Sequence, residues 1–343
     1  MTNYNYNPGG TFINARATDI YDPLFTNYNA VFWSMYNDTP IGQWRSLCQM
    51  RNSTSDSEVY NWYTTLAAMR EFKDVRQHST FKADTVRYGH KEWEWTVDVF
   101  EKDILDDKTG SIVDLVRMAG SEAARHKDEL LGDFINYHIG TAGTGSDAYP
   151  PGFDGKTIFN TAHTAWTSGG STQNNLRSSA TTANSGKCDA TNAAANIAAA
   201  KLQLAGFTNA AGKKMGLRAT HFIGASNTIA AATQVLRSNL IVMGVVPDSS
   251  ATTSEIIERG NLNVNADVGI QIIENPYMTS GYWMLASLIP GVRSPFVFQM
   301  RQDVYTERDD SQMFEKKLMS FGGYARYNIV PGAWFLAVAG DGT

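Results

Sequence analysis

From Glu92 to Val99 the chain alternates strictly. Trp93, Trp95, Val97 and Val99 stand against Glu92, Glu94, Thr96 and Asp98. Successive strand side chains point to opposite faces, so this pattern predicts a strand with one aromatic face and one acidic face. The preceding run, Phe81 to Tyr88, is β-rich but less regular, and Gly89-His90-Lys91 between them can turn the chain. The expectation is a two-strand ribbon over Phe81 to Val99. A lone hairpin is marginal in water, so either its own domain or a neighbouring subunit must cover it. The pattern leaves both open.

An acidic joint follows, Glu101 to Asp107, and then the period changes. Ile112, Val116, Ala119, Ala123, Leu130, Phe134 and Tyr137 recur at threes and fours, broken only around Lys127. That spacing predicts one amphipathic helix from Ser111 to about Ile139, roughly 40 Å long. Its Val116, Ala119, Leu130 and Phe134 are expected to face a β-sheet. Ser111 can serve as N-cap with Asp114 three residues on, and Gly140 can end the helix.

The rest of the chain is less regular. Residues 1 to 57 are aromatic-rich (Phe12, Tyr21, Phe25, Tyr28, Phe32, Trp33, Tyr36, Trp44) with little sustained period, which suits a domain edge or a docking arm. Glu58 to Phe72 reads as a helical or mixed lead-in. Thr141 to Thr157 reads as loop, and the Ser-, Thr-, Asn- and Gly-rich Thr167 to Gly186 as an exposed loop or flexible flap. From Cys188 an alanine-rich helix to about Leu204, capped by Asp189 or Thr191, opens an alternation of short elements. These are a strand at Thr220 to Ala225, a helix at Asn227 to Arg237, and strands at Val268 to Ile273 and Tyr282 to Leu288. They predict a compact mixed α/β subdomain. Phe296 to Arg301, Phe314 to Phe321, Tyr324 to Val330 and Trp334 to Val338 then read as strands.

The chain has 343 residues, 43% hydrophobic and 18% charged, with a net charge of −5. Such a balance suits a folded protein of two or more subdomains and argues against a sequence-reading nucleic-acid protein, which usually carries a basic patch. Cys48 and Cys188 make neither a disulfide framework nor a cysteine zinc site. Met1 to Thr11 lacks the basic and apolar regions of a signal peptide, and no apolar run approaches the ~18 residues of a membrane helix.

Candidate chemistry is sparse. Asp154-Gly155-Lys156-Thr157 lacks the upstream glycine of a phosphate loop, because that position is Pro150. His78, His90, His126, His138, His163 and His221 show no metal spacing. Asp106 and Asp107 are adjacent and diverge on a regular element, so they make a poor acid/base pair. His163, shortly after Phe159, can act as a general base, but neither a partner nucleophile nor an orienting carboxylate is apparent, and a structural hydrogen bond is the plainer role. No cofactor is implied.

Three features in order resemble the major head subunit family of Mu-like tailed phages. They are the ribbon, joint and helix from Phe81 to His138, Phe153-Asp-Gly-Lys-Thr-Ile-Phe159 followed by His163, and Phe321-Gly-Gly-Tyr-Ala-Arg-Tyr-Asn328 followed by Gly332 and Trp334. The resemblance implies an α+β chain with the tailed-phage major capsid fold of the HK-ninety-seven type. Residues 1–57 would be an N-terminal arm. Residues 58–110 would be a lead-in and extended β-hairpin loop. Residues 111–187 would be a peripheral domain with its spine helix, 188–290 an axial domain, and 291–343 a return to the peripheral domain. It implies a structural, non-enzymatic protein of the virion. Pentamers and hexamers would build an icosahedral shell around double-stranded DNA, without base readout and without a membrane. Scaffold, portal and decoration proteins are further partners it implies. It favours the neighbouring subunit as cover for the ribbon, with Trp93, Trp95, Val97 and Tyr88 in the inter-subunit contact. The competing reading is a soluble oligomeric enzyme with a site near His163 and Asp154.

Overall fold

The computed structural model describes residues 5–6, 12–13, 17–40, 42–63, 71, 83–106, 110–141, 146, 149–163, 172–180, 182–209, 212–238, 240–242, 260–263, 265–289 and 294–343. The principal elements in chain order are α1 (Ala17–Asp38), β1 (Cys48–Asn52), β2 (Ser57–Tyr63), β3 (Ala83–Gly89), β4 (Lys91–Phe100) and α2 (Ser111–Gly140). They continue with β5 (Leu176–Arg177), α3 (Ala193–Gly206), β6 (His221–Gly224), α4 (Ser226–Arg237), β7 (Gln271–Glu274), β8 (Trp283–Ala286), β9 (Phe296–Asp309), β10 (Leu318–Pro331) and β11 (Ala337–Gly340). The chain divides into two compact units. One holds residues 1–42, 90–128 and 300–327; the other holds 43–89, 129–299 and 328–343. The helix α2 and the strands β9 and β10 contribute residues to both.

In the first unit α2 and α1 meet β4 and β10. The helix α2 is continuous, as its spacing predicts, with Val116 buried and Ala119 half-buried. α1 was not legible as a helix, yet Phe25, Tyr28, Phe32 and Tyr36 fall on one face at threes and fours. Gly120 allows the two helices to approach, since a Cβ there would lie 2.6 Å from the Phe32 carbonyl oxygen. β4 pairs antiparallel with β10, from Leu318 opposite Phe100 to Tyr327 opposite Lys91.

This pairing corrects the expected ribbon. β3 and β4 do not form a hairpin with each other. β3 pairs instead with β2, from Ser57 opposite Gly89 to Tyr63 opposite Ala83. Only His90 separates β3 from β4, so the Gly89-His90-Lys91 stretch passes the chain from one sheet to another. Alternation identifies a strand's faces but not its partner, which is why pairing was misread. Phe81 and Lys82, and all of 64–80 except Glu71, lie outside the described residues. Glu58 to Tyr63 is strand rather than helix.

The second unit is built on a five-stranded sheet in the order β7-β6-β8-β11-β5. β7 is parallel to β6 and β5 to β11; the other neighbours are antiparallel. The strands read as short apolar runs because both faces are covered. Phe222, Met284, Leu285 and Val338 are fully buried, and Phe222 stacks on Trp283 at 5.8 Å. α3 buries Ile197, Ala200 and Leu204, and α4 buries Ala232 and Leu236. The Asp189 carboxylate accepts the Thr191 and Asn192 amides at 3.0 and 2.8 Å just before α3. In this unit α2 buries Leu130 and Phe134, and the Phe134 ring meets Phe296 of β9 edge-on at 6.0 Å.

Smaller departures have local causes. The strand expected at Val268 starts only at Gln271, after a turn in which the Ile270 amide reaches Asp267. Met313–Lys316 is a helical turn that ends on Lys317 at φ 54°, before β10 runs unbroken from Leu318. Trp334–Leu336 is a 3-10 turn feeding β11. The supposed flap is largely built into the fold: Asn175, Leu176 and Ser185 are buried and β5 pairs with β11. Residues 167–171 and 181 of that stretch lie outside the described residues.

Candidate assembly interface

Among the described residues β2 and β3 form a two-stranded sheet joined to no other strand. One face is anchored. Tyr60, Val86 and Tyr88 pack with Val297 and Val330, and the Tyr88 hydroxyl donates to the Pro151 carbonyl at 2.8 Å. The Gln299 amide reaches the Tyr60 hydroxyl at 2.9 Å. At the base Ser53 and Ser55 donate to the Glu58 carboxylate at 2.6 and 3.1 Å, holding its carboxyl below the usual range, with Ser53 foremost. The opposite face, with Val59, Asn61, Thr85 and Arg87, is exposed. A hairpin with two open edges and one open face is a ready surface for another chain.

The four residues expected at the neighbour contact are not one patch. Tyr88 is core to the second unit, only 3% exposed. Trp93, Trp95 and Val97 lie in the first unit, half-buried by their own chain. Trp93 donates its indole N–H to the Tyr327 carbonyl at 3.0 Å and packs on His126 of α2 at 4.4 Å. Trp95 stacks on Phe32 at 4.9 Å and meets Phe321 edge-on at 5.2 Å. Val97 sits opposite Phe321. The stripe therefore folds back on its own helices. α1, whose aromatic period went unread, supplies cover from within the chain.

Lys127 is the residue whose role sequence reasoning missed. It stands in the helix stripe where the apolar spacing broke, and it is 1% exposed. Its Nζ donates to Asp303 Oδ1 at 2.6 Å and to the Tyr36 hydroxyl at 3.0 Å. The rings of Tyr36 and Tyr327 lie within 5.7 and 5.5 Å of the ammonium. A cation kept at a core position needs such partners, so its charge selects one packing of α1, α2 and β9.

The second unit holds a buried His–Asp pair. His163 Nδ1 lies 2.5 Å from Asp154 Oδ2, with the two side chains 0% and 1% exposed. His163 Nε2 faces Ile158 O at 3.1 Å and Asn175 Oδ1 at 2.9 Å. The amide of Asn175 has a fixed sense, because Oδ1 accepts the Asn160 N–H and Nδ2 donates to the Ile158 and Trp334 carbonyls. Nε2 thus faces two acceptors and carries a hydrogen, while a proton also lies between Nδ1 and Oδ2. The ring stacks flat on Trp334 at 4.2 Å. Both ring nitrogens of His163 are engaged and Trp334 covers a ring face, so the arrangement is that of a structural hydrogen-bond hub rather than a base poised toward a substrate. Lys156 is also committed: its amine donates to the Ala162 carbonyl. Among the described residues no group of three or more His, Cys, Asp or Glu could hold a metal.

His138, fully buried on α2, accepts the Ile158 amide on Nδ1 at 3.1 Å, so its hydrogen sits on Nε2. Burial pushes its imidazole down to about 3. The unfolded chain, with an ordinary imidazole near 6.5, binds that proton first. Stability from this group is therefore complete above about pH 6.5 and falls toward pH 3, by about 1.4 kcal/mol per pH unit. His138→Asn keeps an acceptor for Ile158. Between pH 6.5 and 5 the native chain should lose about 2 kcal/mol more than this variant, measured by urea unfolding. Equal losses would count against it.

The architecture is that of tailed-phage major capsid proteins. Capsid chains of the empty GTA particle (TM-score 0.51, 15% identity, 87% of this chain and 89% of that one) superpose on it. So does a chain of Microbacterium phage Oxtober96 (TM-score 0.50, 11% identity, 88% and 91%). Residues 21–188 match the family of the Mu-like prophage major head subunit gpT. The major capsid protein of Escherichia phage Mu is 24% identical over 141 residues, which is 41% of this chain and 43% of that protein's length. Among the described residues no helix is long and apolar enough to cross a membrane.

Proposed function

We propose that this chain is a structural subunit of a phage head, assembling through pentamers and hexamers into an icosahedral shell of the virion that encloses double-stranded DNA. The carrying observation is the coincidence of two independent signals. The fold follows capsid chains over most of its length, and the family match falls on residues 21–188, which include the hairpin and the long helix. The division into a peripheral part, an axial part at 188–290 and a return at 291–343 belongs to the same reading. Enclosure of DNA needs no base-reading surface, in keeping with the net charge of −5. The open face of the β2–β3 hairpin is the contact we assign to a neighbouring copy.

Negative-stain microscopy with sedimentation of the purified chain tests this. The expected result is large closed particles with five- and six-fold capsomers. A small, monodisperse closed oligomer would overturn it.

A further inference from the structure

Charge is unevenly shared along the chain. The first unit carries 18 acidic and 12 basic residues, and the second 16 and 17. Within the second unit Ala190 to Pro247 contains five basic residues and no acidic one. Three of these, Lys213, Lys214 and Arg218, are exposed in the connection between α3 and β6, the first two on a small hairpin whose described arms are tied together. Thr208 and Lys214 form a β-bridge, the Asn209 amide bonds the Lys213 carbonyl at 2.9 Å, and the Asn209 side chain accepts the Lys213 amide at 3.1 Å. None of the three cations pairs with an acid among the described residues.

The first unit presents the opposite chemistry. The exposed positions of β4 include Glu92, Glu94, Thr96 and Asp98, and those of β9 Asp303, Tyr305, Glu307 and Asp309 beside one exposed cation, Arg301. Glu94 stands opposite Tyr324 of β10, whose ring meets Tyr305 at 5.9 Å. Arg326 already pairs with Glu92. The face is thus a strand surface with two tyrosines among carboxylates, of which Glu94, Asp98, Glu307 and Asp309 make no ion pair among the described residues, and tyrosine is favoured at contact centres.

We propose that the basic hairpin of one copy docks on the acidic β4–β9–β10 face of a second copy of this chain. Complementarity between the two surfaces carries this, and it rests on the assembly reading above. In a shell made of one chain, each copy supplies both surfaces, so every contact has its counterpart in the same stoichiometry. Charge pairs at such a rim steer association and fix register, and they weaken as salt shortens the screening length.

The test is charge exchange in the full chain, with circular dichroism to confirm folding and sedimentation to count particles. K213E/K214E/R218E should lower particle yield at least tenfold, and E94K/D98K/E307K likewise. The six-fold exchange should restore yield to within about threefold of the native chain. If a reversal disturbs folding, K213Q/K214Q/R218Q and its counterpart E94Q/D98N/E307Q carry the same comparison, each with a smaller loss. Normal yield from the reversed hairpin, or failure of the exchange to rescue, would overturn the inference alone. So would normal shells with depleted DNA, which would give the hairpin to nucleic acid. A native chain that makes no particles would overturn the assembly reading, and this inference with it.

Discussion

Trp95→Ala is expected to destabilise the folded chain by about 3–5 kcal/mol, the range for a large aromatic lost from a packed site. The indole is held on three sides. It stacks on Phe32, meets Phe321 edge-on, and lies over Gly323, where an added Cβ would come within 2.4 Å of its Nε1. No side chain nearby can refill that space without moving α1 off the sheet. Urea unfolding of the variant beside the native chain measures the loss. A variant with an unchanged midpoint that fails to assemble would return the indole to a subunit contact. Such a result would contradict the self-covered stripe.

Asp154→Ala is the second large effect, again about 3–5 kcal/mol, because it strands one partner of a buried, hydrogen-bonded pair. His163 would keep its Nε2 contacts and its stack on Trp334, but Nδ1 would face a void. Asp154→Asn retains shape and one hydrogen bond and should cost clearly less, about 1–3 kcal/mol. The double variant Asp154→Ala with His163→Phe should lose less than the sum of the two single changes, since the stranded polar group is gone. Additive losses would mean that the two side chains do not act as a pair.

Some of this was readable from residue order and some was not. The helix α2 was, because its apolar spacing runs for many turns and no competing period exists. The short apolar strands and two helices of the second unit were readable for the same reason. The partner of β4 was not, because the residues that cover it lie at Phe32 and Phe321, far away in sequence. α1 stayed hidden because Asn, Thr and Asp between its aromatics are weak helix formers, and Pro23 reads as a break. Around His163 the residue types were visible. Their use was not, since Asn175, which closes Nε2 off, sits in a stretch whose composition reads as loop.

The pairing of β4 with β10 also governs when this protein can exist. The first unit needs residues 1–42, 90–128 and 300–327 together. At roughly 5–20 residues per second of synthesis, the earlier segments wait on the order of 10–40 s for Leu318–Tyr327 to emerge. During that wait Trp93 and Trp95 have no β10 to cover them. An interrupted chain therefore stays recognisable as unfinished, with its aromatic strand in reach of chaperones and proteases. Only a chain translated past Tyr327 can complete the pairing of that strand with β10, so an unpaired β4 marks a chain whose first unit is unfinished.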